Sequence, residues 1–156
     1  MTSKANAAAS NQNGIAEAAK LYLDVVSQFP EHSLAPSALY DAAFIELKNR
    51  RYPEAIALTK KFQSEYGSAS ELPGVLEVQG DSYLLNGDAE AAEQSFAQLV
   101  QQFENDPKLT TWKLRVGQIR FVRKNYEQAI AWLTPLARQL QKPEEIAEAL
   151  HWIGSS

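Results

Sequence analysis

The sequence predicts an all-α solenoid, in which antiparallel helix pairs stack along the chain. The composition favours helices, because Ala and Leu dominate, Glu, Gln, Lys and Arg fill most polar positions, and the 156 residues include only 7 Gly and 7 Pro. Small and apolar positions recur every 37 residues without an insertion. Within each period, apolar residues follow the three-and-four spacing of amphipathic helices.

Four sets of positions keep this step and indicate how the helix pairs stack. A short pair cannot bury its apolar face alone, so neighbouring units must cover it. Because Gly within a helix costs about 0.5–1 kcal/mol relative to Ala, we expect close helix contacts at Gly80 and Gly117. Lys113 interrupts one apolar set, and Trp112 is expected to take its place. The sets are Ala18, Ala55, Ala92 and Ala129; Phe29, Tyr66, Phe103 and Leu140; Ala43, Gly80, Gly117 and Gly154; and Leu39, Leu76, Lys113 and Leu150.

One solenoid domain is predicted over residues 14–156, with complete units at about 33–66, 70–103 and 107–140. Residues 1–13 are expected to be poorly ordered or a truncated helix, because KANAAASNQ lacks an apolar stripe. Partial units flank the complete ones. At the N-terminal end, the amphipathic stripe of residues 14–29 predicts the second helix of a pair, and at the C-terminal end PEEIAEALHWIGSS begins the first helix of another pair. The C-terminal segment has no polar cap and leaves the apolar residues Ile146, Leu150, Trp152 and Ile153 for a partner, which favours a fragment of a longer repeat protein.

Helix boundaries are predicted from capping and turn residues. Ser33 and Ser70 suit the N-caps of first helices, as does Asp106, which precedes a proline. Gly67 suits a left-handed C-cap after a second helix. The turns within the three pairs are predicted at Asn49-Arg50, Asn86-Gly87 and Lys124-Asn125.

Composition and motif searches exclude several classes of function. The absence of Cys excludes disulfides, thiolate nucleophiles and Cys-ligated metals. A net charge of -4 argues against nucleic-acid binding, and no apolar stretch is long enough for membrane insertion. His32 is interpreted as a solvated residue of a connector, and His151 has no acidic or Cys partner at ligand spacing. The acidic residues at 144, 145 and 148 are interpreted as charges of a first helical turn. We therefore expect no enzyme activity, no cofactor and no metal site.

The middle unit carries a family resemblance. Residues 80–96, GDSYLLNGDAEAAEQSF, resemble a tetratricopeptide repeat (TPR), and YPEAIALTKKF and YEQAIAWL resemble its second helix. The segment FPEHSLAPSALY is similar to the TPR branch of bacterial envelope proteins, including outer-membrane assembly lipoproteins and Tol-Pal partner proteins. Glu46, Arg120 and Thr59 depart from the aromatic residues that the family prefers. The resemblance implies a right-handed solenoid whose first helices line a concave, peptide-binding face.

The resemblance also places candidate groove residues by register. Tyr40 and Phe44 would be apolar anchors, Glu77 and Asp81 would set charge preference, and Arg115 would take an acidic group. The open alternative is that some of these side chains, notably Val78, Leu85 and Leu114, only pack against neighbouring helices. The candidates are Tyr40, Asp41, Phe44, Lys48, Glu77, Asp81, Leu114, Arg115 and Gln118, with Val78, Leu85 and Val122 on the same face.

The predicted function is a protein–protein interaction scaffold or adaptor that binds a partner segment in this groove. Two alternatives stay open. The repeats could be a structural spacer or self-association module of a larger bacterial protein, with a homodimer through exposed end helices, or a regulatory arm of a catalytic domain elsewhere. The N-terminus has no Leu-rich signal region, so both the bacterial envelope and the cytoplasm remain expected compartments.

Overall fold

The computed structural model describes residues 3–139, and its side chains from residue 14 to residue 138. Seven helices fill the described range, which contains no strand, so the all-α prediction is confirmed. The predicted first-type helix near the C-terminus and His151 lie outside the described residues. The helices are α1 (Ser3–Gln28), α2 (Ala35–Lys48), α3 (Tyr52–Glu65), α4 (Leu72–Leu85), α5 (Ala89–Gln102), α6 (Leu109–Val122) and α7 (Tyr126–Gln139).

The chain divides into two compact units, Met1–Ser82 and Tyr83–Ser156. In the first unit α1 packs on α2, and α2 packs on α3. In the second unit α5 packs on α6, and α6 packs on α7. Within each compact unit, these helices therefore contact their neighbours in sequence, as a repeat of helix pairs requires. α1 begins at Ser3, well before the helix expected from the apolar stripe, and α2 to α7 each contain 14 residues.

The turns between first and second helices are confirmed at all three predicted positions, and they share one geometry. The residue after each C-cap has a positive φ, with Arg50 at 62°, Gly87 at 92° and Lys124 at 63°. The next residue donates its backbone N–H to a carbonyl five residues back, as Arg51 does to Glu46 at 2.9 Å. This is the Schellman motif, which satisfies the last carbonyls of a helix. Only the middle turn has the Gly that this conformation favours.

The connectors between units correct the predicted caps. In each connector two successive backbone bonds span three residues, as from His32 N–H to Phe29 O (3.0 Å) and from Ala35 N–H to His32 O (3.0 Å). These tight turns delay the first helices, so α2 is capped by Leu34 and not by Ser33. α4 begins at Leu72, beyond Ser70.

The third connector has the same form. α6 begins at Leu109 after the N-cap Lys108, so Asp106 is not the N-cap. Its Oδ1 instead accepts the Lys108 N–H at 2.8 Å, two residues along the connector. The Gly67 prediction is also wrong, because its φ is not positive. A Cβ at Gly67 would lie 2.7 Å from the carbonyl oxygen of Gln63, so this Gly is required by a close approach.

Most of the repeated small and apolar positions lie in the core of the helix pairs, whereas Phe29 is 58% exposed. Ala55, Ala92 and Ala129 are each 0% exposed, and Trp112 is 1% exposed, so the indole is buried as expected. Gly117 lies beneath the side chain of Leu133 on α7, which a Cβ at Gly117 would overlap. The close contact predicted at Gly117 is therefore real, and its partner is a large side chain of the paired helix.

Candidate functional site

The first-helix face of the first unit is centred on two aromatic rings of α2. Tyr40 and Phe44 lie one turn apart, with ring centroids 6.4 Å from each other. Phe44 is 40% exposed, whereas Tyr40 is half-buried against α4. The contact is close, since a Cβ at Gly74 would lie 2.9 Å from Cε2 of Tyr40. Gly74 thus leaves room for the Tyr40 ring to pack against α4, whereas the Phe44 ring is exposed and accessible to a ligand.

Charged groups flank these rings. At the C-terminal end of α2, the ammonium of the exposed Lys48 lies 5.1 Å from the Phe44 ring centroid, a cation–π distance. One turn before Phe44, burial and the nearby Glu71 carboxylate raise the pKa of Asp41 above its ordinary value. Glu71 in turn accepts a hydrogen bond from the Ser37 hydroxyl at 2.8 Å. An aromatic centre therefore lies between a cation and a pair of carboxylates.

The other candidates of α4 continue this face in part. Glu77 and Asp81 are half-buried, and each side chain already interacts with another group of the protein. Val78 is only 4% exposed, in line with the packing alternative for that residue. In the second unit, Leu85 is 60% exposed at the end of α4.

In the compact unit Tyr83–Ser156, the exposed face of the first helix α6 does not include Leu114, contrary to the prediction. This side chain is 4% exposed and belongs to a core cluster with Leu133 and Leu136, so it cannot contact a ligand. Arg115 is half-buried and its guanidinium carbon lies 5.2 Å from the Phe96 ring centroid. Gln118 is half-buried, while Val122 is 56% exposed. Arg115 thus stacks on a core aromatic ring with its charge near the surface.

An ion cluster that the sequence did not reveal joins α5 to α6. Glu93 accepts hydrogen bonds from Arg120, at 2.7 Å, and from Arg123. The Arg120 guanidinium also lies 4.6 Å from the Trp132 ring centroid, and the Trp132 indole donates to the Lys113 carbonyl at 2.6 Å. Burial alone would raise the pKa of Glu93, but the two arginines outweigh it and lower that pKa. Arg120, which replaces the aromatic residue that the family prefers, is therefore part of an ion cluster between α5 and α6.

The two other departures from the family pattern also make polar contacts. The hydroxyl of Thr59, which is 0% exposed, donates to the Ile56 carbonyl at 2.7 Å and accepts the Gln79 amide at 3.2 Å. The Glu46 carboxylate lies 3.0 Å from Nε of Arg51. This contact is an ion pair, and Oε2 of Glu46 has no hydrogen-bond partner among the described residues. Neither contact indicates a catalytic or ligand-binding role. Each one links a helix to the segment that follows it.

A cleft of about 580 Å³ lies beside the first connector. The Tyr66 hydroxyl crosses it and donates to the Pro30 carbonyl at 2.8 Å. Burial, followed by the charges of Glu65 and Glu31, raises the pKa of this hydroxyl. His32 is exposed as expected. Its Nδ1 accepts a hydrogen bond from the Leu34 N–H at 3.1 Å, so the imidazole ring stabilises the backbone of the connector. The lining residues are Pro30, Glu31, His32, Ser33, Pro36, Glu65 and Tyr66.

Two kinds of feature are absent from the described part of the chain. Between residues 3 and 139, no three His, Cys, Asp or Glu residues are grouped so that they could hold a metal ion. In the same range, no helix combines the length and apolar character needed to cross a membrane.

Comparisons with known proteins agree with the helix-pair architecture. A family model described as tetratricopeptide repeat matches residues 3–70 and 77–141. The outer membrane protein assembly factor BamD of Pasteurella multocida (strain Pm70) is 28% identical over 139 residues, which cover 77% of this chain and 54% of that protein. The chain thus spans about half the length of this curated relative.

Solved structures share the fold. Two crystal structures, a parent and a single-substitution variant, contain nearly identical TPR-like repeats of a Podosopora anserina protein assigned as a kinesin light chain. Each superposes with a TM-score of 0.71 at 17% identity, covering 91% of this chain and 77% of that chain. At this identity the likeness concerns the fold alone.

Proposed function

The chain belongs to the tetratricopeptide repeat family, and on that premise we propose that it is a protein–protein interaction scaffold whose α2 face binds a segment of a partner protein. The proposal depends mainly on the exposed ring of Phe44. This ring lies between the ammonium of Lys48 and the carboxylates of Asp41 and Glu71. Exposed aromatic anchors of this kind commonly dominate the energy of protein interfaces.

The chemistry of this face defines the partner segment. An apolar side chain would pack on Phe44, and a basic side chain would meet Asp41 and Glu71. Burial, followed by repulsion from Glu71, raises the pKa of Asp41, and binding of a cation there would relieve the repulsion. Arg115 and Gln118 provide a separate polar patch in the second unit, suited to an acidic or amide group. The proposed setting is an assembly complex of the bacterial envelope, because the relative from Pasteurella multocida is an outer membrane protein assembly factor.

The experiment uses a phage-displayed library of random peptides, panned on the folded chain. Enriched peptides are synthesised and titrated by calorimetry against the wild type, Phe44→Ala and a matched control, Phe29→Ala. Phe29 is an aromatic residue outside the first helices and is 58% exposed, so its truncation removes a similar surface elsewhere. We expect Phe44→Ala to weaken binding at least about tenfold, equivalent to about 1.4 kcal/mol, and Phe29→Ala to leave it unchanged.

The same titration separates the charge contributions. Peptides with a basic residue should lose affinity for Asp41→Asn, and this loss should shrink at high salt because exposed charges are screened. Equal affinities for wild type and Phe44→Ala, or enrichment of no peptide at all, would remove the α2 face as the binding site.

A second candidate function, a structural spacer or self-association module, is favoured by the exposed apolar side chains of α1, of which Leu21 is 60% exposed and Ile15 and Tyr22 are each 37% exposed. Concentration-dependent association of the chain alone supports that candidate, whereas peptide binding by a monomer supports the first.

A further inference from the structure

The cleft beside the first connector has preformed walls. Tyr66 is the C-cap residue of α3 and is held from two sides. Its ring centroid lies 5.8 Å from that of Phe62, and its hydroxyl donates to the Pro30 carbonyl at 2.8 Å. Pro30 and Pro36, whose rings restrict the local backbone, line the same cleft. At about 580 Å³ the cleft has room for a side chain of a partner, and its preformed walls lower the entropic cost of binding.

The charge of this cleft is negative. Glu31 and Glu65, the cleft carboxylates, are both exposed, and neither forms an ion pair with another residue between 14 and 138. Burial, followed by the charges of these two carboxylates, raises the pKa of the Tyr66 hydroxyl, so both act on the same point of the cleft. Nδ1 of His32 accepts the Leu34 N–H and therefore has no proton, which leaves this imidazole neutral. The lining thus contains two negative charges and no positive one.

The second connector shows that the backbone of such a connector does not depend on these charges. The 37-residue step places the uncharged Ser68 and Gln102 at the register positions of the two cleft carboxylates. The second connector nevertheless forms the same two backbone bonds, from Ala69 N–H to Tyr66 O (3.0 Å) and from Leu72 N–H to Ala69 O (3.1 Å). The carboxylates of the first connector are therefore available to a ligand, and their charge calls for a cationic one.

We propose that this cleft binds an arginine side chain in a segment of a partner protein. The planar guanidinium has five N–H donors and can reach both cleft carboxylates at once, whereas the ammonium of lysine is a point charge. The rings of Tyr66, Pro30 and Pro36 provide apolar surface for the methylene groups of the arginine. The cleft includes neither Phe44 nor the carboxylates near it, so this binding does not depend on the α2 face.

The probe is the peptide acetyl-Ala-Leu-Arg-Leu-Ala-amide, together with a copy in which citrulline replaces arginine and keeps its shape without its charge. Each peptide is titrated into the ¹⁵N-labelled chain, and the backbone amide shifts locate the binding and give its Kd. The double variant Glu31→Ser/Glu65→Gln introduces the residues of the second connector, so the connector should still form. Glu17→Gln/Asp24→Asn is the matched control, because it removes the same charge at exposed positions of α1.

The arginine peptide should produce saturable shifts at residues 31–35 and 65–66. Citrulline in the peptide, or the double variant of the cleft, should weaken this binding roughly tenfold, as the loss of two exposed ion pairs predicts. The α1 control should leave it unchanged. Shifts near Phe44 report the α2 face separately, so either site can fail alone. The proposal is overturned if the cleft shows no saturable shift, if both peptides bind the wild type equally, or if the double variant binds like the control.

Discussion

The Nε of Arg120 on α6 donates to Oε1 of Glu93 on α5 across 2.7 Å, which joins the second helix of one pair to the first helix of the next. The side chain of Glu93 is 14% exposed and that of Arg120 is 23% exposed, so solvent only partly screens the pair. Arg123 adds a second donor to the same carboxylate. Because apolar contacts carry little orientational information, this cluster helps to fix how α6 lies on α5.

Glu93→Gln should destabilise the second unit. The variant keeps the shape of the side chain but leaves two arginines without their countercharge, at a cost of about 1–2 kcal/mol. Urea unfolding followed by Trp fluorescence measures the change. Glu90→Gln is the control, because Glu90 is exposed in the first turn of α5. Equal stability of the two variants would show that the cluster contributes nothing measurable.

The same cluster should make stability sensitive to acid. The folded-state pKa of Glu93 is lowered, and an unfolded Glu titrates near about 4.3. Its stabilising contribution is therefore fully present above that value and is lost as pH falls through the lower folded-state pKa. The stability difference between wild type and Glu93→Gln should shrink between pH of about 5 and 3. A difference that is constant over this range contradicts the charge assignment.

Asp41→Asn should have the opposite sign at neutral pH. Burial and Glu71 raise the folded-state pKa of Asp41, so its ionised form costs stability above that pKa, and the cost disappears as pH falls through it. The variant should therefore unfold at slightly higher urea at pH 7, by about 0.5 kcal/mol or less, and match the wild type in acid. Loss of stability at pH 7 would mean that the carboxylate has a structural role.

Glycine should stabilise the chain at the two turns that lack it. Arg50 and Lys124 have the left-handed φ of Gly87, a conformation that costs a residue with a side chain about 1 kcal/mol or more. We expect Arg50→Gly and Lys124→Gly to raise the free energy of unfolding by about 0.5–1 kcal/mol each, and Gly87→Ala to lower it by a similar amount. Thermal unfolding measures all three. The idea fails if Arg50→Gly is as destabilising as Gly87→Ala.

Ser82→Ala should also be stabilising. Ser82 is 0% exposed, and its hydroxyl has no hydrogen-bond partner among the described residues. Its register positions in the neighbouring pairs are occupied by Ile45 and Ile119, so the site is suited to an apolar side chain. Removing a buried hydroxyl of this kind should contribute about 1 kcal/mol, measured by urea unfolding. Ser64→Ala, at an exposed position of α3, is the control.

Local patterns predicted much of the fold correctly, because they act within a few residues of one another. The 37-residue period identified the helix pairs, and the turns at residues 50, 87 and 124 follow from chemistry that one turn of chain contains. The caps at Ser33 and Ser70 failed, since the connector forms backbone bonds before the helix begins. A side chain that can cap does not determine where the chain first becomes helical.

The sequence by itself determined the helix pairs, their order and the small positions at which they meet, because a fixed period imposes the same burial on every unit. Only the tertiary structure decided which first-helix residues face solvent: Phe44 is exposed, whereas Leu114 is in the core with Leu133. It also decided that Glu93 meets Arg120, 27 residues away. Both outcomes depend on the rotation and distance of packed helices, which register along one helix does not fix.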